Sequence, residues 1–160
     1  MRIFLFILFF IFAGSIFTDT KKIYVNDILN NVKVGALSNN KQLSLGVKNV
    51  LEEALQDKGF ELVNDRWDAD YVVDLEINYF DYEQTKSNLS VFHKDENAVV
   101  IKMRGQLSEN GKVLKDVNVI DQSTEIVSST GVIASDGKFS SAIIRNAVKK
   151  TCVSVVAKLF

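Results

Sequence analysis

Asp70-Tyr71-Val72-Val73-Asp74-Leu75-Glu76-Ile77-Asn78-Tyr79 is the stretch from which the rest of the chain can be read. Side chains of an extended chain alternate, so Tyr71, Val73, Leu75, Ile77 and Tyr79 share one face while Val72, Asp74, Glu76 and Asn78 share the other. A helical winding would scatter Asp74, Glu76 and Asn78 among the apolar positions. The alternation predicts a strand with one buried face and one wet face, the central member of a sheet.

Downstream, Val99, Ile101, Met103 and Leu107 alternate with Val100, Lys102, Arg104 and Gln106, which predicts a second half-buried strand. Glu109-Asn110-Gly111 is the turn after it. A two-residue Asn110-Gly111 loop would set Met103 opposite Asn118 and mix the faces. A three-residue loop sets Leu107 opposite Val113, Met103 opposite Val117 and Ile101 opposite Val119, all apolar, and is the expected register.

Between these two strands lies Asp81 to Asn97, long for a hairpin loop. Either the strands extend into it and leave a mobile tip, or it is a functional excursion carrying Tyr82, Leu89, Val91 and Phe92 as partner contacts. Extended strands are the favoured expectation, with partner contact through Tyr82, Leu89, Val91 and Phe92 beside it.

Upstream, Val47, Val50, Leu51, Ala54 and Leu55 recur at amphipathic-helix spacing, with Lys48, Asn49, Glu52, Glu53 and Gln56 toward water. The helix is expected over Leu45 to Lys58, with Ser44 as N-cap and Gly59 as a left-handed C-cap. Asn64-Asp65-Arg66-Trp67-Asp68 reads as a polar turn holding the single Trp. Lys22-Ile23-Tyr24-Val25 is a short strand, followed by an Asn-rich irregular crossing. From about Ser140 a second amphipathic helix sets Ile143, Ile144, Ala147, Val148, Thr151, Cys152, Val155 and Leu159 on one side.

The order strand, helix, strand, strand, strand, helix predicts an α+β fold: a four-stranded mixed sheet with two helices on one face. Residues 22–160 form one domain. Ahead of it, Met1-Arg2 and the 11 apolar residues Ile3 to Ala13 have the form of a secretory signal peptide over residues 1–15. A membrane-spanning helix needs about 20 apolar residues, so cleavage near Ser15 is expected and an uncleaved anchor is the alternative.

Composition narrows the function classes. The chain is 47% hydrophobic and 24% charged with a formal net charge of -1, so no basic field is available to gather nucleic acid. The lone Cys152 cannot close an intramolecular disulfide and falls in an apolar helix stripe, where a thiol is inert core. His93 has Asp95 and Glu96 beside it but no ligand pattern, and Asp65, Asp68 and Asp70 lack the spacing of a calcium loop. Gly35, Gly46 and Gly59 make no phosphate-binding motif. Asn88-Leu89-Ser90 fits a glycosylation sequon, meaningful only in a eukaryotic host. No catalytic residues, metal or cofactor are expected.

The helix ending Asp57-Lys58-Gly59-Phe60, the strand opening Asp68-Ala69-Asp70-Tyr71-Val72-Val73-Asp74-Leu75, and the hairpin and C-terminal helix with its Ser/Thr-rich approach resemble the small bacterial envelope lipoproteins of the YajG type. The chain is also similar, less closely, to the LPS-assembly lipoprotein LptE and to the CsgG-like domain. One departure stands out: Ala13-Gly14 is followed by Ser15 where those families carry a lipidated Cys. The resemblance implies a non-enzymatic periplasmic or outer-membrane-associated accessory protein that binds an envelope protein or a lipopolysaccharide-like ligand, with indirect membrane contact. The rival is a small exported ligand-binding protein or enzyme with its site in the 81–97 hairpin.

Overall fold

The computed structural model describes residues 20–33, 41–86, 95–127 and 141–160. The predicted signal peptide, the Gly131 to Gly137 stretch and the tip of the 81–97 hairpin lie outside the described residues.

Strands β1 (Lys22–Val25), β2 (Leu29–Asn30), β3 (Glu61–Leu62), β4 (Tyr71–Lys86), β5 (Asp95–Glu109) and β6 (Lys112–Val127) form one sheet in the order β3-β1-β4-β5-β6, with β2 also on β4. Helices α1 (Lys41–Asp57) and α2 (Ser141–Leu159) pack on each other; α2 lies over β5 and β6, and α1 reaches β2 and β3. The α+β class, the mixed sheet and the central place of β4 agree with the sequence reading. The expected four strands are corrected to six. The two extra strands, β2 and β3, are two residues each, too short for any periodicity to declare them.

β1 and β2 run along the same edge of β4, both parallel to it. Val25 sits opposite Val73 and Leu29 opposite Glu76, so the β1 to β2 segment carries one residue more than β4 between these pairings. The surplus lets Ile28 turn into the core; the ladder holds up to Asn26 N–H on Val73 O at 3.0 Å and has resumed by Asn31 N–H on Ile77 O at 2.9 Å. The described start of the stretch that reads as an irregular crossing, residues 26–31, therefore follows β4 as a strand broken by a bulge.

On β4, Val73, Leu75 and Ile77 are buried as the alternation requires. Tyr79 departs from it. A bulge between Ile77 and Tyr79 leaves Asn78 without a pairing partner in the β5 register, and Phe80 takes the inward place opposite Ile101. Tyr79 then stands opposite Lys102, whose ammonium lies 4.7 Å from the ring centroid. Both long strands run into the 81–97 stretch, β4 to Lys86 and β5 from Asp95, as expected for extended strands.

The three-residue turn is overturned. Asn110 and Gly111 have φ of 50° and 78°, Glu109 pairs with Lys112, and the loop is the two-residue type that matches strand twist. A bulge at Leu107/Ser108 then shifts the ladder, so that Leu107 faces Lys115, Gly105 faces Val117 and Met103 faces Val119. The bulge restores the face matching that a plain two-residue loop would have spoiled.

α1 begins at Lys41, so Ser44 lies inside the helix and is not its N-cap. Its C-terminus is as predicted: Gly59 has φ 95°, its N–H reaches Gln56 O at 2.8 Å, and Phe60 N–H reaches Leu55 O at 3.2 Å. Val47, Leu51 and Leu55 from α1 meet Ile143, Ala147, Val148, Cys152, Val155 and Leu159 from α2 over Ile23, Val73, Leu75, Ile77, Val99, Ile101 and Met103 of the sheet. Thr151 is buried among them and donates its hydroxyl to Ala147 O at 2.7 Å, so its polar atom is satisfied.

Candidate partner-binding surface

The turn between β3 and β4 displays the most exposed large apolar side chain of the described residues, Trp67, at 92%. It sits in a one-turn 3-10 helix, Arg66–Asp68. Asp65 holds that turn: its carboxylate accepts from Trp67 N–H at 2.9 Å, and its carbonyl accepts from Asp68 N–H at 3.2 Å. The far end is tied to the sheet, since Asp70 N–H donates to Lys22 O at 3.0 Å and Asp70 Oδ2 accepts from Lys22 N–H at 2.8 Å. Sequence alone places Trp67 in a polar turn and gives it no role. The acids around it close the turn, and none of them covers the indole.

A second polar feature lies on the sheet face away from the helices. Arg104 straddles Asp116, with Nε on Oδ1 at 3.0 Å and Nη2 on Oδ2, and Gln106 Nε2 donates to the same Oδ2 at 2.8 Å. Glu76 stands 3.9 Å from the guanidinium on its other side. The bonds from Arg104 and then Gln106 hold the Asp116 carboxyl well below the usual carboxylate range, at about 2, and the same bond raises Arg104. A carboxylate held ionised this firmly is no general acid or base near neutral pH.

Cys152 is fully buried, and desolvation pushes its thiol up to about 12. Between α1 and α2 runs a groove of about 280 Å³ lined by Ala54, Asp57, Lys58, Val153, Val156 and Ala157. Among the described residues no group of three or more His, Cys, Asp or Glu is placed to hold a metal ion, and no helix is long and apolar enough to cross a membrane.

Of the predicted partner contacts, Leu89, Val91 and Phe92 lie outside the described residues, as does His93. Tyr82 is in β4 with its backbone opposite Val99, and its side chain lies outside the described residues.

No protein-family profile matches the chain, and no curated sequence matches it either. Solved structures of the same fold do. A minor lipoprotein from Acinetobacter baumannii superposes with a TM-score of 0.51 at 11% identity, over 87% of this chain and 90% of that one. The hypothetical protein CT253 from Chlamydia trachomatis gives 0.53 at 11% identity, over 88% and 95%. PelC from Paraburkholderia phytofirmans, solved as a dodecamer, gives 0.51 at 15% identity, over 88% and 89%. At these identities the likeness is one of fold.

Proposed function

We propose that this is a non-enzymatic, exported accessory protein of the bacterial envelope that works by binding another envelope protein, and that it belongs with the YajG-type proteins. The observation carrying the binding reading is Trp67: a fully exposed indole on a turn tied at both ends. The backbone that carries the indole is fixed before a partner arrives, so little main-chain freedom is lost on binding, and Trp is among the residues most enriched at binding hot spots. Export rests on the apolar run Ile3 to Ala13, and the envelope setting is supported by the fold shared with a bacterial minor lipoprotein.

The test is affinity capture from the envelope fraction of the protein's own host, with wild type and Trp67→Ala side by side. A partner held by the wild type and lost by the variant, with thermal melting unchanged, is the expected result. Equal capture by both would remove Trp67 from the contact. The intact mass of the recovered protein checks export, because a mass that still includes Met1 to Ser15 would contradict cleavage.

A further inference from the structure

Among the described strands β6 has one neighbour, β5, so a strand of 16 residues runs with its outer edge open. Peptide groups along such an edge alternate between the neighbouring strand and the outside, and an unguarded outside row is a template for another strand. Here two of its carbonyls are met by α2: Lys150 Nζ donates to Gln122 O at 3.2 Å and Lys158 Nζ to Asn118 O at 3.5 Å. Ile120, between them in the alternation, is 64% exposed.

The charge that α2 brings to this edge is positive: Lys150 and Lys158 reach it, and the helix carries no acidic residue. Lys150 is shared with Asp121, 3.7 Å away, yet its side chain is still 57% exposed. The spacing is matched as well. Four residues of strand and eight residues of helix each span about 12–13 Å, so the two ammonium groups recur at the interval of strand positions i and i+4. Those positions share a face.

We infer that the outer edge of β6 is a strand-addition site for an extended acidic segment of a partner protein, whose carboxylates four residues apart are taken by Lys150 and Lys158. The incoming strand supplies N–H groups to the carbonyls of Asn118 and Gln122. Lys158 leaves a neutral carbonyl for a carboxylate, which holds it more strongly, and Lys150, already beside Asp121, turns its exposed ammonium to the second carboxylate. This rests on the partner-binding reading above. A partner captured through Trp67 with the β6 edge unused would overturn the edge assignment and leave that reading standing.

The probe is a short fluorescent threonine/valine peptide with two glutamates four residues apart, compared with a peptide of the same composition whose glutamates are three apart and so face opposite ways. Anisotropy titration of the purified protein should show the first bound at least several-fold more tightly. Lys150→Ala combined with Lys158→Ala should weaken it about tenfold, since two exposed charge pairs are lost. Amide exchange at Asn118, Ile120 and Gln122 should slow when the peptide binds. Equal affinity for the two peptides, or no binding, overturns the proposal without recourse to any variant. Self-association of the double lysine variant, with no peptide bound by the wild type, would show that the lysines only guard the edge.

Discussion

Gly105 of β5 lies directly beneath Val155 of α2: a Cβ on Gly105 would come within 2.7 Å of Val155 Cγ1 and 3.4 Å of Leu159 Cδ1. Gly105 falls in the inward alternation with Met103 and Leu107, so the missing side chain is what lets α2 settle on the sheet. Val155 is branched at Cβ and fully buried, and it has little freedom to swing aside. Gly105→Ala should therefore destabilise the fold by about 1–3 kcal/mol through overpacking. Combining it with Val155→Ala should cost less than the sum of the two single changes, by about 1 kcal/mol. Urea unfolding of the four proteins checks this, and strict additivity would show that the two residues do not compete for one space.

Cys152 should resist thiol reagents until the protein unfolds, because burial both hides the thiol and pushes its ionisation up to about 12. Its raised value means that the folded state keeps its proton longer than the unfolded chain. Stability from this group is complete below the ordinary thiol range and drains away as pH rises from there through about 12. Cys152→Ser should cost about 1–2 kcal/mol, since a hydroxyl enters an apolar site. The cost stays modest because a serine there could donate to the carbonyl four residues back, as Thr151 does to Ala147. Labelling in native buffer as fast as in denaturant would show that the helix phase is wrong.

The bulge at Asn78 makes a deletion experiment decisive. Ile77 pairs with Met103 and Tyr79 with Lys102, so removing Asn78 closes the ladder and leaves every other β4 side chain on its own face. Removing Ile77 instead moves Asn78 into a fully buried position among Leu75, Met103 and the helices. The first deletion should cost about 1 kcal/mol or less, as expected of a change outside the core. The second should cost about 3–5 kcal/mol, because a buried side chain is lost and an amide enters its place. Thermal melts of the two chains, equal in length, test the assignment. Equal melting points would remove the bulge from β4.

Alternation showed the fold wherever it ran unbroken. Tyr71 to Ile77 and Val99 to Leu107 have one face against apolar helices, and their sequences carry that asymmetry openly. It failed at Tyr79 and at the β5 to β6 turn, because a bulge changes the phase by one residue while leaving the composition of the strand unchanged. The turn length was hidden for the same reason: a two-residue loop mixes the faces only in a ladder without a bulge. β2 and β3 left no pattern, since two residues cannot display a period. On the candidate surface, the sequence located Trp67 in a turn but not its exposure. That depends on Asp65 and Asp70 turning inward to close the loop, which residue type alone does not announce.

The Arg104 to Asp116 pair should set the acid limb of the stability curve. Asp116 ionises at about 2 in the folded protein, below its ordinary range, because Arg104 and Gln106 both donate to it. Over the interval between those two values the unfolded chain holds a proton that the folded chain does not, so stability falls as pH falls. The contribution is fully present above the ordinary carboxylate range and is lost on descending through about 2. Asp116→Asn should flatten this limb and leave the curve above it shifted nearly uniformly. Arg104→Gln should act in the same direction, through loss of the partner that lowers Asp116 most. Because both side chains are more than a third exposed, added salt should shrink the difference between wild type and variant. Urea midpoints from pH 2 to 7 at low and high salt make the comparison. An acid limb identical in wild type and Asp116→Asn would assign the acid sensitivity to other carboxylates.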